Sequence, residues 1–262
     1  YGDHRDLHRL IRRQRQMCIR DRVLRMHTDI DTVRNIIEKA KKEGRIYLNE
    51  IESKKIVAAY NIPVVKVDVA RNVDEAIEKA KEIGFPVVLK IFSPDILHKS
   101  DVGGVKVNLK NEEELRKAYE EIMNNVKSRV PNARIEGVVV QEFAPDGLEV
   151  IIGGLFDQFF GPVIMFGLGG IWVELLKDVT FRLAPIDERE ADEMIKEIKG
   201  YKLLTGYRGA EPVDIEEIKK ALVNVGKLLY ENQEIKELDL NPIMTYRNGI
   251  KVVDARIILK GE

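Results

Sequence analysis

Two apolar runs near the C-terminus, KELDLNPIMTY and KVVDARIIL, are joined through Arg247-Asn248-Gly249-Ile250. Asn-Gly between such runs is the strongest short-range signal for a β-hairpin. Alternate residues of a strand share a face, so Asp239 and Asn241 lie on one side. If Asn248 and Gly249 form a two-residue turn, Arg247 pairs with Ile250. That register sets Asn241 opposite Arg256 and Ile243 opposite Asp254. All four polar side chains then share a face, and Asn241 and Asp254 are diagonal neighbours, roughly 7–8 Å apart. Two hard oxygen donors with room for water and phosphate suit Mg²⁺ better than zinc. The alternative is a solvated hairpin face carrying an Asp–Arg pair. Pro242 argues against an ordinary ladder position, because proline removes a donor.

The rest of the chain reads as α+β in two lobes. Helical periodicity covers Thr28–Ala59, and a strand follows at 62–70. Asn72 with Glu75 opens a helix that ends at Gly84, leading into the buried strand FPVVLKIF. A further strand at 103–109 precedes a helix opened by Asn111 and Glu114. The boundary is expected between Val130 and Glu136, so that 26–134 forms the N-terminal helices and first lobe. The second lobe, 135–262, starts at GVVVQEF and continues as a Gly-punctuated antiparallel meander. Asp187 with Glu190 and Asp214 with Glu217 mark two more helices.

Residues 1–25 carry eight Arg against three Asp, a net of +5 that leaves the remainder at −6. They are read as a non-native or disordered basic segment with a natural start near Met26; the rival reading is a basic arm. A mildly acidic body is a poor general nucleic-acid binder. No apolar run approaches the roughly 20 residues a membrane helix needs. Cys18 is the single cysteine, so the body has neither a disulfide framework nor a thiolate metal site, which points to a cytoplasmic protein. There is no G-x-x-x-x-G-K-[ST] loop and no G-x-S-x-G elbow.

Other residues invite chemistry, each with a plainer reading beside it. Lys90 ends an apolar strand where a cation could meet a phosphate; it could equally snorkel from an edge. In HKSDVGGV, Gly103 and Gly104 permit close backbone approach to an anion, or simply a turn. His98 is the only histidine after His27, and a neutral imidazole is a good phosphoryl acceptor. Gln141-Glu142-Phe143 leaves a strand where backbone groups could read an adenine edge. Glu149 could accept ribose hydroxyls, or form the polar side of a strand. Glu174 and Asp178, four apart, and Arg208 in a loop are read as structural.

Taken in order, VVLK, HKSDVGGV, VVVQEFAPDGLEV, GLGGIWVELLKDVTFRLAP, GYRG, LDLNPIM and VVDARI resemble the ATP-grasp β subunits of ADP-forming acetyl-CoA synthetases, relatives of succinyl-CoA synthetase. The likeness spans about residues 28–260. It implies an ATP-grasp fold, two α+β lobes enclosing a nucleotide cleft, with ATP or ADP and Mg²⁺ bound. It also implies an acid–thiol ligase acting with a CoA-binding α subunit that carries a phosphohistidine, in an α2β2 assembly. Lys90 would meet the nucleotide phosphates, Gln141, Glu142 and Phe143 the adenine region, and Glu149 the ribose. Asn241 and Asp254 would hold Mg²⁺, Asp239 would face the phosphohistidine, and Gly103 and Gly104 would shape a phosphate loop. His98 matches a second phosphoryl carrier. The chain lacks a G-x-G-x-x-G CoA-binding unit, which a partner would supply. The alternatives are a self-sufficient ATP-grasp carboxylate ligase and a non-catalytic nucleotide-sensing domain.

Overall fold

A computed structural model describes residues 29–96, 98–170 and 178–261. The basic segment 1–25, Cys18 and Glu174 lie outside the described residues. The described chain runs through α1 (Ile30–Lys42), α2 (Glu50–Ala59), β1 (Val67–Ala70), α3 (Val73–Ile83), β2 (Val87–Phe92), β3 (Val105–Leu109), α4 (Glu112–Arg129) and β4 (Gly137–Glu142). It continues with β5 (Leu148–Asp157), β6 (Gly161–Leu168), β7 (Val179–Leu183), α5 (Glu188–Glu197), α6 (Tyr201–Leu204), α7 (Ile215–Glu231), β8 (Ile235–Thr245), β9 (Ile250–Val252) and β10 (Ala255–Leu259). Among the described residues, no helix is long and apolar enough to cross a membrane.

Two sheets organise these elements. The first is antiparallel in the order β1-β4-β2-β3, with α3 and α4 closing a core of Ala76, Ile77, Leu89, Ile91, Leu115, Ile122, Val138 and Val140. Side-chain caps start its helices as expected: Asn72 accepts from the Glu75 amide, and Asn111 from the Glu114 amide, both at 2.9 Å. The second sheet has the order β10-β8-β5-β6-β7, with β9 paired to β8. The meander β5–β6–β7 is there, but β8 returns beside β5 and becomes a central strand. Helices α5 and α7 cover one face of this sheet through Ile164, Phe166, Met194, Ile195, Leu222 and Val225.

Two boundaries differ from the sequence reading. GVVVQEF, expected to open the second lobe, contributes β4, which lies between β1 and β2 of the first sheet. Five consecutive buried residues, Gly137 to Gln141, fit a central strand covered on both faces. The N-terminal helices, assigned by sequence to the first lobe, share the second core: Val33, Ile37, Ala40, Ile56 and Val57 pack with Leu240, Ile257 and Leu259. Backbone pairing reinforces this, with the Leu48 amide donating to Ile257 O at 3.1 Å and Leu259 to Ile46 O at 2.7 Å. The amphipathic stripe of α1 shows that it buries a face without specifying against which sheet.

Candidate active site

The closing hairpin forms with a different turn. Thr245 pairs with Ile250 and Ile243 with Val252, so Tyr246–Gly249 is a four-residue connection in which the Tyr246 amide donates to Gly249 O at 3.1 Å. The register therefore moves by two residues. Arg256 faces Asp239 instead of Asn241, and Asn241 faces Asp254 directly, its amide donating to Asp254 O at 3.3 Å. A two-residue shift preserves parity, so the four polar residues still share a face and all are exposed. Leu238, Leu240 and Ile243 are buried towards the helices. A bulge of β8 against β5, between the partners of Val150 and Ile152, absorbs the extra residue at Asn241-Pro242.

Around this face the carboxylates are crowded. Burial raises the Asp254 carboxyl above its ordinary pKa, and Glu50 adds to this, while Lys90 and Lys54 oppose it. Burial also raises Asp239, helped by Asp254 and opposed by Arg256. Both side chains remain open to solvent, yet protein is dense enough around them to disfavour the charged form. A cation between them would relieve that cost. Among the described residues no group of three or more His, Cys, Asp or Glu could hold a metal. One carboxylate and one amide oxygen, with sites left for phosphate and water, fit Mg²⁺, which binds through one or two carboxylates plus substrate oxygens.

Lys90 reaches the same region from the first sheet, within range to act electrostatically on Asp254. Its Nζ donates to Glu50 Oε1 at 2.7 Å. Lys54 Nζ donates to the same oxygen at 2.9 Å, and Lys99 Nζ to Glu50 Oε2 at 2.9 Å. The fully buried Lys54 also donates to Gln141 Oε1 at 2.7 Å. Burial by itself would raise the Glu50 pKa, but the three ammoniums outweigh it and hold the carboxyl far below its usual range. Lys54 shifts oppositely to a well-paired lysine: burial lowers its pKa, and repulsion by Lys90 offsets part of what Glu50 restores. One anion shared among three cations explains both directions.

Glu50, Lys54 and Lys99 were missed from sequence. The usable signals were the Asn49–Glu52 capping box, which fixes where α2 begins, and the four-residue spacing of Glu50 and Lys54, which puts both on one helix face.

The remaining candidates occupy distinct places. His98 is exposed in the β2–β3 loop, next to Lys99. Gly103 and Gly104 take the turn reading: their amides donate to Ser100 O at 3.0 Å and Lys99 O at 2.8 Å, so neither is directed at a ligand in this conformation. A Cβ on Gly104 would lie 2.6 Å from Ile91 Cγ2 and 2.9 Å from Lys99 O, so close packing requires glycine there. The amide of Glu142 donates to Lys66 O at 2.8 Å and that of Phe143 to Pro86 O at 3.2 Å. Adenine recognition through these two residues would therefore use carbonyls. The Glu142 side chain bonds Lys251 and accepts from the Lys66 amide at 3.1 Å, joining β4 to β9. Glu149, on β5, lies against the Gly169–Gly170 turn; the Gly169 amide donates to Glu149 O at 2.8 Å. Asp178 is structural, accepting from the Lys199 and Gly200 amides at 2.7 Å each. Arg208 is exposed and stacks over Tyr207.

A family model described as an ATP-grasp domain matches residues 39–259. The chain is 54% identical over 226 residues to the β subunit of acetate–CoA ligase (ADP-forming) I of Pyrococcus furiosus, covering 86% of this chain and 97% of that one. Acetate–CoA ligase (ADP-forming) I of Archaeoglobus fulgidus is 50% identical over 227 residues, which cover 87% of this chain and 33% of that longer protein. Among solved structures, the dinucleotide-forming acetyl-coenzyme A synthetase 1 of Ca. Korarchaeum cryptofilum, in complex with coenzyme A, Ca-AMPCP and HgCl+, matches with a TM-score of 0.83. Its identity is 61%, over 87% of this chain and 99% of that chain. A second complex of that enzyme, with coenzyme A and Mg-AMPPCP and with its phosphohistidine segment pointing towards the nucleotide binding site, matches with a TM-score of 0.78 at 56% identity, over 87% of this chain and 100% of that chain. The two antiparallel sheets are thus those of an ATP-grasp domain, and the chain belongs to the β subunits of the ADP-forming acetate–CoA ligases.

Proposed function

We propose that this chain binds ADP and Mg²⁺ in the cleft bordered by Lys90, Asn241 and Asp254. There it passes a phosphoryl group between a phosphohistidine of a CoA-binding α subunit and ADP, within the reaction acetyl-CoA + ADP + phosphate = acetate + ATP + CoA. The observation that carries this reading is the direct opposition of Asn241 and Asp254 on a face that Lys90 reaches from the other sheet. Acetate–CoA ligases of this type, and the Korarchaeum complex with Mg-AMPPCP, support it.

In the transfer, the P–N bond of the phosphohistidine breaks, its electron pair returns to the imidazole nitrogen, and a terminal oxygen of ADP forms the new P–O bond. Such a reaction asks the protein mainly for alignment and charge neutralisation. Lys90 neutralises phosphate oxygens, and the carbonyls of Glu142 and Phe143 accept from the adenine amino edge. Glu149 accepts from ribose hydroxyls. The Asp239 carboxylate accepts from the second imidazole nitrogen of the incoming phosphohistidine and fixes the ring. Asn241 and Asp254 would hold Mg²⁺, which when bound supplies positive charge to the phosphates. His98, exposed beside Lys99, would serve as an intermediate acceptor: its imidazole nitrogen would form a P–N bond as the partner's P–N bond breaks, and that new bond would break in the same way when the ADP oxygen attacks.

The test is reconstitution. The chain alone should bind Mg·ADP and make no ATP from acetyl-CoA and phosphate; with an α subunit, ATP and acetate should appear in equal amounts. Full turnover without α, or no nucleotide binding, would overturn the proposal.

A further inference from the structure

We propose that Glu50 is a positioning residue for the nucleotide phosphates, holding Lys90 and Lys99 side by side so that cations from two separate segments meet one anion. This rests on the nucleotide reading above and extends it to a residue outside the cleft's strands. Glu50 is the first residue of α2, a helix anchored in the second core, whereas Lys90 belongs to β2 of the first sheet and Lys99 to the His98 loop. One carboxylate oxygen takes Lys90 at 2.7 Å and the other takes Lys99 at 2.9 Å. Glu50 is only 9% exposed on its side chain, against 14% for Lys90 and 22% for Lys99, so both ammoniums are drawn from the more open side onto a buried base.

The base is itself braced. Lys54, one turn along α2 and 1% exposed, bonds Glu50 Oε1 at 2.9 Å and Gln141 Oε1 at 2.7 Å. The chain Gln141–Lys54–Glu50–Lys90/Lys99 thus runs from the strand that leads into Glu142 and Phe143 to the two lysines. Three ammoniums meet the Glu50 carboxylate, and even with Asp254, which Lys54 and Lys90 also feel, one formal positive charge is left over at the hub. A buried surplus of that sign is costly unless an anion joins it. The chemistry that fits is a polyphosphate, which offers several oxygens to two adjacent Nζ groups while Glu50 fixes the spacing between them.

The experiment compares adenosine with ADP, each with Mg²⁺, binding to the purified full chain by calorimetry. Glu50→Gln keeps the shape and one acceptor but removes the charge that gathers the lysines. It should weaken ADP at least tenfold and leave adenosine within twofold, because adenosine has no phosphate to meet them. Lys99→Met, in an exposed loop, should reproduce the ADP-selective loss, and the double variant should lose little more than either alone. Should Glu50→Gln fail to fold, Lys99→Met alone decides. Equal losses for adenosine and ADP, or unchanged ADP affinity in Lys99→Met, would overturn the positioning role. A wild-type chain that binds neither ligand would instead remove the nucleotide reading on which it rests.

Discussion

Asn241 and Asp254 face each other across the last hairpin, joined by a backbone hydrogen bond of 3.3 Å from the Asn241 amide to Asp254 O. The pairing assigns them unequal electrostatic weight, since only Asp254 carries charge. Asp254→Ala should weaken Mg²⁺-dependent nucleotide binding by at least tenfold, about 1.4 kcal/mol. Asn241→Ala should weaken it less, removing a neutral donor atom. Titrating ADP with and without Mg²⁺ measures both, and an Asp254→Ala chain with an unchanged dissociation constant would contradict the metal assignment.

The lysine-bound Glu50 carries a pH signature. Its folded-state pKa lies below the ordinary value of 4.5, so its contribution is fully present above that pH and is lost as pH falls through it towards the lowered folded value. Replacing Glu50 by Gln at pH 7 leaves Lys54 buried beside an uncharged partner and should cost about 3 kcal/mol, the scale of breaking a buried ion pair. The stability gap between wild type and Glu50→Gln should then shrink as pH drops below 4.5. Urea unfolding at pH 7, 5, 4 and 3 measures it; a constant gap would show that the carboxylate charge is not what stabilises the hub.

How much of this was legible in the sequence depends on the range of the interaction. The shared face of Asp239, Asn241, Asp254 and Arg256 survives the two-residue register shift because strand alternation is indifferent to even shifts; the partner assignments do not survive it. The turn misled because Asn-Gly suggested two residues where four connect the strands. Helix starts at Asn72, Asn111, Asp187 and Asp214 were readable because a cap and its amide are three residues apart. Glu50 was not readable as a hub, since Lys90 and Lys99 lie 40 and 49 residues away and only the tertiary fold brings them together. The placement of β4 failed for a related reason: an apolar strand does not announce which sheet it enters.

Asp178 offers a contrast to the cleft carboxylates. It is 5% exposed and caps two amides, Lys199 and Gly200, at the turn before α6. Asp178→Ala would remove the acceptor of two part-buried hydrogen bonds, at a cost of about 1–3 kcal/mol in total. Denaturant midpoints should fall accordingly while the ADP dissociation constant, measured at a temperature where the variant remains folded, stays within twofold. A selective loss of nucleotide affinity would move Asp178 from scaffold to site.

His98 sits at the opposite extreme, exposed on a loop and adjacent to a lysine already drawn onto Glu50. Replacing an exposed side chain away from the packed core should change stability by no more than about 0.5 kcal/mol, so His98→Ala should unfold with wild type. If the imidazole carries phosphoryl between the partner and ADP, the variant should still bind Mg·ADP but form ATP at least a hundredfold more slowly, the loss expected when a covalent route is closed. Incubating chain and α subunit with γ-labelled ATP should place acid-labile, base-stable phosphate on the wild-type chain and none on His98→Ala. A variant with full ATP synthesis would leave the partner's phosphohistidine as the sole carrier, because the N–P bond could then pass its phosphoryl group directly to ADP across the face that Asp239 and Asp254 share.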